Sequence, residues 1–231
     1  MWILLGGLET ALYQAGFLDV LLERQPAPRV IYGGGVAAIN AVLAAQHDPR
    51  ALRRGWERLR GRRFLALEAI QRAPWMRVLG NGHDRLNGAL QLLVRGAGRE
   101  ATASSDVWLL TAGSFVEAMC TGRHVPPLAS IDTALHSREI TGHALATALN
   151  AAPAHGVTRI VAIVDEPLVG GREAGHALEE TSARGIETAL IPFVLDRRTS
   201  LVSYLLPGSG AADRMVAAGR ARARAWLGER A

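Results

Sequence analysis

Twice in its first 45 residues the chain passes from a short apolar run through glycines into a helical stretch, and this repetition limits the fold more than any other feature. Trp2 to Leu5 reads as a buried strand that leaves through Gly6-Gly7. Thr10 to Arg24 reads as a helix, with Leu12, Ala15, Leu18, Leu21 and Leu22 at helical spacing. After Pro26 and Pro28 comes a second unit: a strand at Val30-Ile31-Tyr32, a sharp turn on Gly33, Gly34 and Gly35, and a helix opening at Ala38-Ile39-Asn40-Ala41. Two such units in succession predict a βαβ crossover, and hence a parallel sheet with helices packed on its faces. Both glycine turns then lie at the C-terminal edge of the sheet, where folds of this kind bind ligands.

The rest of the chain continues the alternation. Pro49 to Phe64 reads as an amphipathic helix with Leu52, Trp56 and Leu59 on one face and arginines on the others. It is either a solvated basic face or a contact with anionic lipid or a partner protein. Val107 to Thr111 reads as a strand and Ser114 to Thr121 as a short helix. A helix from about Gly142 to Ala152 precedes Thr158 to Val164, an unbroken β-branched run suited to a sheet covered on both sides. The helix Gly171 to Arg184, the strand Glu187 to Phe193 and a final helix from Ala211 complete the pattern. No internal repeat or low-complexity linker divides the chain, so a single domain over residues 1–231 is expected.

Composition removes several function classes. The basic residues number 26 against 21 acidic, for a formal charge of +5, and every one is arginine. An all-arginine composition rich in alanine and glycine reports a GC-rich coding sequence rather than a nucleic-acid partner, and none is expected. Cys120 is the only cysteine, so no intrachain disulfide can form, which fits a reducing cytoplasm. The apolar start has no basic leader, and Glu9 and Asp19 interrupt it, so it does not read as a signal peptide. No later run approaches the roughly 18 apolar residues of a membrane span.

These landmarks, in this order, resemble the patatin-like phospholipase family over nearly the whole chain. Leu5-Gly6-Gly7 followed by Ala11-Leu12-Tyr13-Gln14-Ala15-Gly16-Phe17-Leu18 is similar to the family's glycine-rich oxyanion loop and first helix. Ile31 to Ala41 is similar to its nucleophile elbow, with the Ala38-Ile39-Asn40-Ala41 tail intact. Trp56 to Arg60, Val125-Pro126-Pro127, Gly156 to Val164 and Met215 to Gly219 fall in the family's order. The resemblance implies a three-layer α/β/α sandwich with a mainly parallel central sheet. It also implies a serine and aspartate dyad, with backbone N–H groups of the glycine loop holding the oxyanion during hydrolysis of lipid acyl esters.

The chain departs from that pattern at each part. Gly35 stands where the serine belongs and Ala37 where the next glycine belongs. Leu8-Glu9-Thr10 replaces the rest of the oxyanion motif, and Arg138 stands where the dyad aspartate belongs. Gly35 and Arg138 are thus degenerate dyad positions, and no serine-type acyl hydrolysis is expected. The first expectation is a pseudoenzyme that binds a hydrophobic or acyl small molecule, or pairs with a partner protein or its own copy. Its ligand would meet the backbone of Gly6, Gly7, Leu8, Gly33, Gly34, Gly35 and Val36. The second is an enzyme of non-covalent acid/base chemistry, such as a cyclisation, elimination or isomerisation, with Glu9, His136 and His143 as candidate proton carriers. The third is a residual acyl hydrolase using Cys120 or an unrecognised serine.

Ser104, Ser105 and Ser114 read as loop or cap residues, and Cys120 as a buried structural thiol. The histidines show no metal-ligand spacing, so neither a metal nor a cofactor is expected. Glu9 and Arg138 enter facing positions of the family's site and are expected to form a salt bridge.

Overall fold

A computed structural model describes residues 1–59, 105–111, 114–116, 142–193 and 210–228. In chain order the elements are β1 (Trp2–Gly6), α1 (Leu8–Arg24), β2 (Val30–Gly35), α2 (Ala38–Ala44), α3 (Pro49–Leu59), β3 (Asp106–Thr111) and β4 (Ser114–Val116). They continue with α4 (Gly142–Ala151), a 3-10 turn at Ala152–His155, β5 (Arg159–Asp165), α5 (Glu166–Val169), α6 (Arg172–Ala183), β6 (Glu187–Phe193) and α7 (Ala211–Gly228). The strands form one sheet in the order β4-β3-β2-β1-β5-β6, with five parallel strands and β4 antiparallel to β3 at one edge.

The central strands are apolar on both sides because both sides are covered. Alternate residues of β1 point to opposite faces, and Ile3, Leu4 and Leu5 are all fully buried. Each such side chain is worth ~1.5–3 kcal/mol of burial. One core packs Trp2, Leu4, Ile31, Leu109, Val161 and Ile163 against α1, α2, α3 and α7. The other packs Ile3, Leu5, Tyr32, Leu110, Ile160 and Ala162 against α4, α5 and α6. The result is a three-layer α/β/α sandwich.

The layers follow from the handedness of the crossovers. β1 reaches β2 through α1 on one face, and β5 reaches β6 through α5 and α6 on the other, so the connections run outward from the centre in opposite directions. Right-handed crossovers demand opposite faces for opposite directions. The boundary between the two halves falls between β1 and β5.

The first layer is closed by an unusually near crossing of α1 and α7. A Cβ on Gly16 would stand 1.9 Å from the carbonyl oxygen of Val216, and one on Gly219 would stand 2.0 Å from that of Tyr13. Only hydrogen fits at either place. Phe17 and Trp226 pack beside the crossing with ring centroids 5.9 Å apart.

Two local expectations need correction. Gly33, Gly34 and Gly35 are not the turn: β2 runs through all three, and the turn follows at Val36-Ala37. Gly33 is in the strand because α2 folds back onto it, leaving a Cβ there only 2.6 Å from Ala41 Cβ and 3.0 Å from Ala38 Cα. Ser114 does not open a helix. Ser114–Val116 is a strand, turned back on β3 so that Leu110 faces Phe115 and the sheet gains a further strand.

Candidate functional site

The crevice beyond the ends of β1 and β5 is the switch point of this sheet, the place where an open α/β fold brings ligands against strand ends. Its walls come from Gly6 and Gly7, the start of α1, and Asp165, the last residue of β5. Gly7 caps α1, and its backbone N–H donates to Asp165 Oδ2 at 3.2 Å. The Thr10 hydroxyl donates to Asp165 Oδ1 through a short hydrogen bond. The carboxylate thus sits at the positive end of a 17-residue helix, with the first orphan donor of that helix directed at it.

Glycine is required beside it. Gly6 has φ of 150°, and a Cβ there would be 2.6 Å from Thr10 Cγ2 and 3.1 Å from Asp165 Oδ1. In register with Gly6 is Gly35, the last residue of β2, with φ of 64°. That left-handed conformation is strained for most other residues, and it ends β2 just before the Val36-Ala37 turn into α2, the strand-turn-helix order of a nucleophile elbow. No side chain reaches the crevice from Gly35. The Ala37 N–H, in the turn that follows, donates back to Gly6 O at 3.4 Å.

The carboxylates of the crevice are not equivalent. Burial pushes the Asp165 carboxyl above the ordinary aspartate value, the Thr10 and Gly7 hydrogen bonds draw it back, and the nearby charge of Glu9 adds to the rise. Glu9 lies in the first turn of α1, where the helix dipole favours an acid, and is partly exposed. The arrangement supplies one acid that holds its proton more readily than usual and a second, more exposed one at its side. It supplies no covalent nucleophile at Gly35.

A buried amide network holds the crevice from beneath. Gln14 Nε2 donates to Ile163 O at 2.7 Å and to Leu5 O at 3.3 Å, joining the ends of β5 and β1 where the two halves of the sheet part. Asn40 Nδ2 donates to Gln14 Oε1 at 3.1 Å and to Ala11 O at 2.7 Å, and Asn40 Oδ1 accepts the Trp56 indole N–H at 2.7 Å. Gln14 and Asn40 are fully buried, and both amide hydrogens of each are used.

Of the residues singled out in the sequence, Gly6, Gly7, Leu8, Glu9, Gly35 and Val36 come to this edge. Leu8 and Val36 turn their side chains into the first core, and Gly33 and Gly34 lie further back along β2. His143 is in the first turn of α4, two-thirds exposed, with Nδ1 3.2 Å from Glu173 Oε2 on α6. His136, Arg138, Cys120 and Ser104 lie outside the described residues, and the expected Glu9–Arg138 pair with them. Ser105 sits at the opposite edge of the sheet. There its hydroxyl donates to Pro28 O at 2.6 Å, and it lies 3.0 Å from His47 Nε2, so it ties β3 to the approach to β2.

Asp165 and Thr10 are the residues that sequence reasoning missed. The signal for Asp165 was available: an acid directly following the most strand-like run in the chain must fall at a strand's C-terminal end. Among the described residues no group of three or more histidine, cysteine or acidic side chains could hold a metal ion, and no helix is long and apolar enough to cross a membrane. The chain matches no protein-family model, no curated protein and no solved structure.

Proposed function

We propose that this chain is a patatin-like protein that has abandoned serine acyl hydrolysis and acts non-covalently, by holding a hydrophobic or acyl small molecule at the switch-point crevice, in the cytoplasm. One observation carries the reading: the Gly7 N–H, the donor an oxyanion would need, is already engaged by the Asp165 carboxylate. An oxyanion hole works by presenting donors to charge that develops during the reaction. Here a resident negative group occupies the donor, and the elbow position beside it is a glycine.

The elbow's backbone conformation at Gly35 and the network joining Gln14, Asn40 and Trp56 support the patatin-like part of the reading, since all four fall within the segments that carry the resemblance. The raised proton affinity of Asp165 favours a second reading, acid/base chemistry on a bound substrate with Asp165 and Glu9 as the proton carriers.

Fluorophosphonate labelling of the purified protein, read by intact mass, tests the loss of serine chemistry. No adduct and no turnover of a medium-chain ester are expected, and stoichiometric labelling of one serine would overturn the reading. Native mass spectrometry of the purified protein tests the rest, with a co-purifying acyl or apolar ligand as the expected result. If a substrate is turned over and Glu9→Gln abolishes that turnover while ligand remains bound, the acid/base reading replaces the binding one.

A further inference from the structure

On the outer side of the first helical layer, α1, α3 and α7 meet around a half-open notch of about 50 Å³, several times the ~10–15 Å³ that one water needs. Its floor is apolar, from Ala15, Leu52, Trp56 and Val216, and its polar lining is Asp19, Arg53 and Arg220. Asp19 is the unusual member. Its side chain is only 5% exposed, and its two oxygens are taken separately: Oδ1 by Arg53 Nε at 2.5 Å and Oδ2 by Arg220 Nε at 2.9 Å.

A buried carboxylate that binds two guanidinium groups by their inner nitrogens fixes the direction of their outer ones. Arg53 and Arg220 are 43% and 39% exposed, so their forks emerge side by side at the mouth of the notch. Arg53 Nη2 is engaged by Glu23, a surface carboxylate that is 52% exposed. Arg220 makes no bond other than that to Asp19 among the described residues. Exposed Arg50 and Arg54 flank Arg53 on α3, Arg54 being paired with Asp48 Oδ2 at 3.0 Å, and exposed Arg224 follows Arg220 by one turn on α7. Two forks held in place by one buried acid match a tetrahedral oxyanion, which offers an oxygen edge to each.

We propose that this notch is a binding site for a phosphate group, gripped by Arg53 and Arg220, with Glu23 occupying part of the place when the phosphate is absent. Glu23 is bound only at the surface, where an ion pair contributes little, so a dianion that reaches both forks displaces it. Asp19 does not leave, because it orients the forks from below. The phosphate arrives either free in solution or as the headgroup of a lipid, and the site takes the same chemistry from both.

The test is an NMR or calorimetric titration of the intact protein with inorganic phosphate at constant ionic strength, beside sedimentation with phosphatidylcholine vesicles that do or do not contain phosphatidic acid. Saturable binding is expected, weakened about ten-fold or more in Arg220→Gln and strengthened in Glu23→Gln, which removes the competing carboxylate. Arg172→Gln on α6, in the opposite layer, is expected to bind as the wild type does. Binding to the vesicles that Arg220→Gln also weakens assigns the headgroup as the source, and binding of free phosphate alone assigns the soluble ion. No saturable binding of either, equal affinity in Arg220→Gln, or equal weakening in Arg172→Gln would overturn the proposal. Glu23→Gln alters only an exposed side chain, so its gain of affinity can be read even if Arg220→Gln loosens the helix crossing.

Discussion

Asn40 receives the indole N–H of Trp56 at 2.7 Å, and through this bond the helix after the elbow is fastened to the basic helix α3. The partners are buried, so neither can turn to water if the other is lost. Trp56→Phe preserves most of the ring but strands Asn40 Oδ1, and is predicted to cost about 1–3 kcal/mol in chemical denaturation. Asn40→Leu strands both the Trp56 N–H and Gln14 Oε1, and should cost more than Trp56→Phe.

The crossing of α1 and α7 predicts opposite outcomes for one substitution at two helical glycines. Gly16→Ala puts a methyl group into the Val216 carbonyl and forces the helices apart, at a predicted cost of about 3 kcal/mol. Gly175→Ala on α6 meets nothing within 4 Å and should stabilise by about 0.5–1 kcal/mol, because alanine is the better helix former. Thermal unfolding of the two variants separates the effects by sign.

Asp165 makes stability depend on pH in a stated direction. Its carboxyl binds a proton more readily in the folded chain than in the unfolded one, where the value is about 3.9. The stability it contributes is therefore complete below that value and is lost as pH rises through the higher folded value. Wild type should lose stability relative to Asp165→Asn as the pH is raised from about 4 to 7, in paired denaturation curves. The folded-state midpoint, followed by the carboxyl carbon resonance, should fall toward the ordinary value in Glu9→Gln.

Placing a serine at position 35 is predicted to create no esterase activity. Gly35→Ser places a β-carbon on a backbone with φ of 64°, at a cost of about 1–2 kcal/mol. It leaves the Gly7 donor still engaged by Asp165. Ester turnover by this variant should remain at the background rate, and turnover above it would mean that the donor is free in solution.

What the sequence makes legible here is whatever depends on local pattern. Thr158 to Val164 is read as a doubly covered strand because its β-branched run is unbroken, and Glu187 to Phe193 is read as the strand that the preceding helix feeds, its full length matching β6 although one side of it is partly exposed. The glycines of β2 mislead because a glycine run reads as a turn, whereas Gly33 is small to admit Ala41 from a helix that arrives only on folding. Ser114–Val116 is too short to show a period, and its state is decided by pairing with β3. The candidate site divides in the same way. Gly6, Glu9 and Gly35 stand in recognisable motifs, but the Asp165 that accepts from Gly7 and Thr10 beside them is 158 residues from Gly7 in sequence. Nothing local announces that meeting.

The hydrogen bond from Gly7 to Asp165 also bears on how easily ester hydrolysis could arise at this edge of the sheet. A tethered carboxylate competes with any free anion at an effective concentration that is on the order of millimolar even for short flexible tethers, and this one is anchored at a strand end. A diffusing ligand must outbid a competitor that never leaves. Hydrolysis would need a nucleophile gained and this resident anion gone, two separate changes, neither of which is useful without the other.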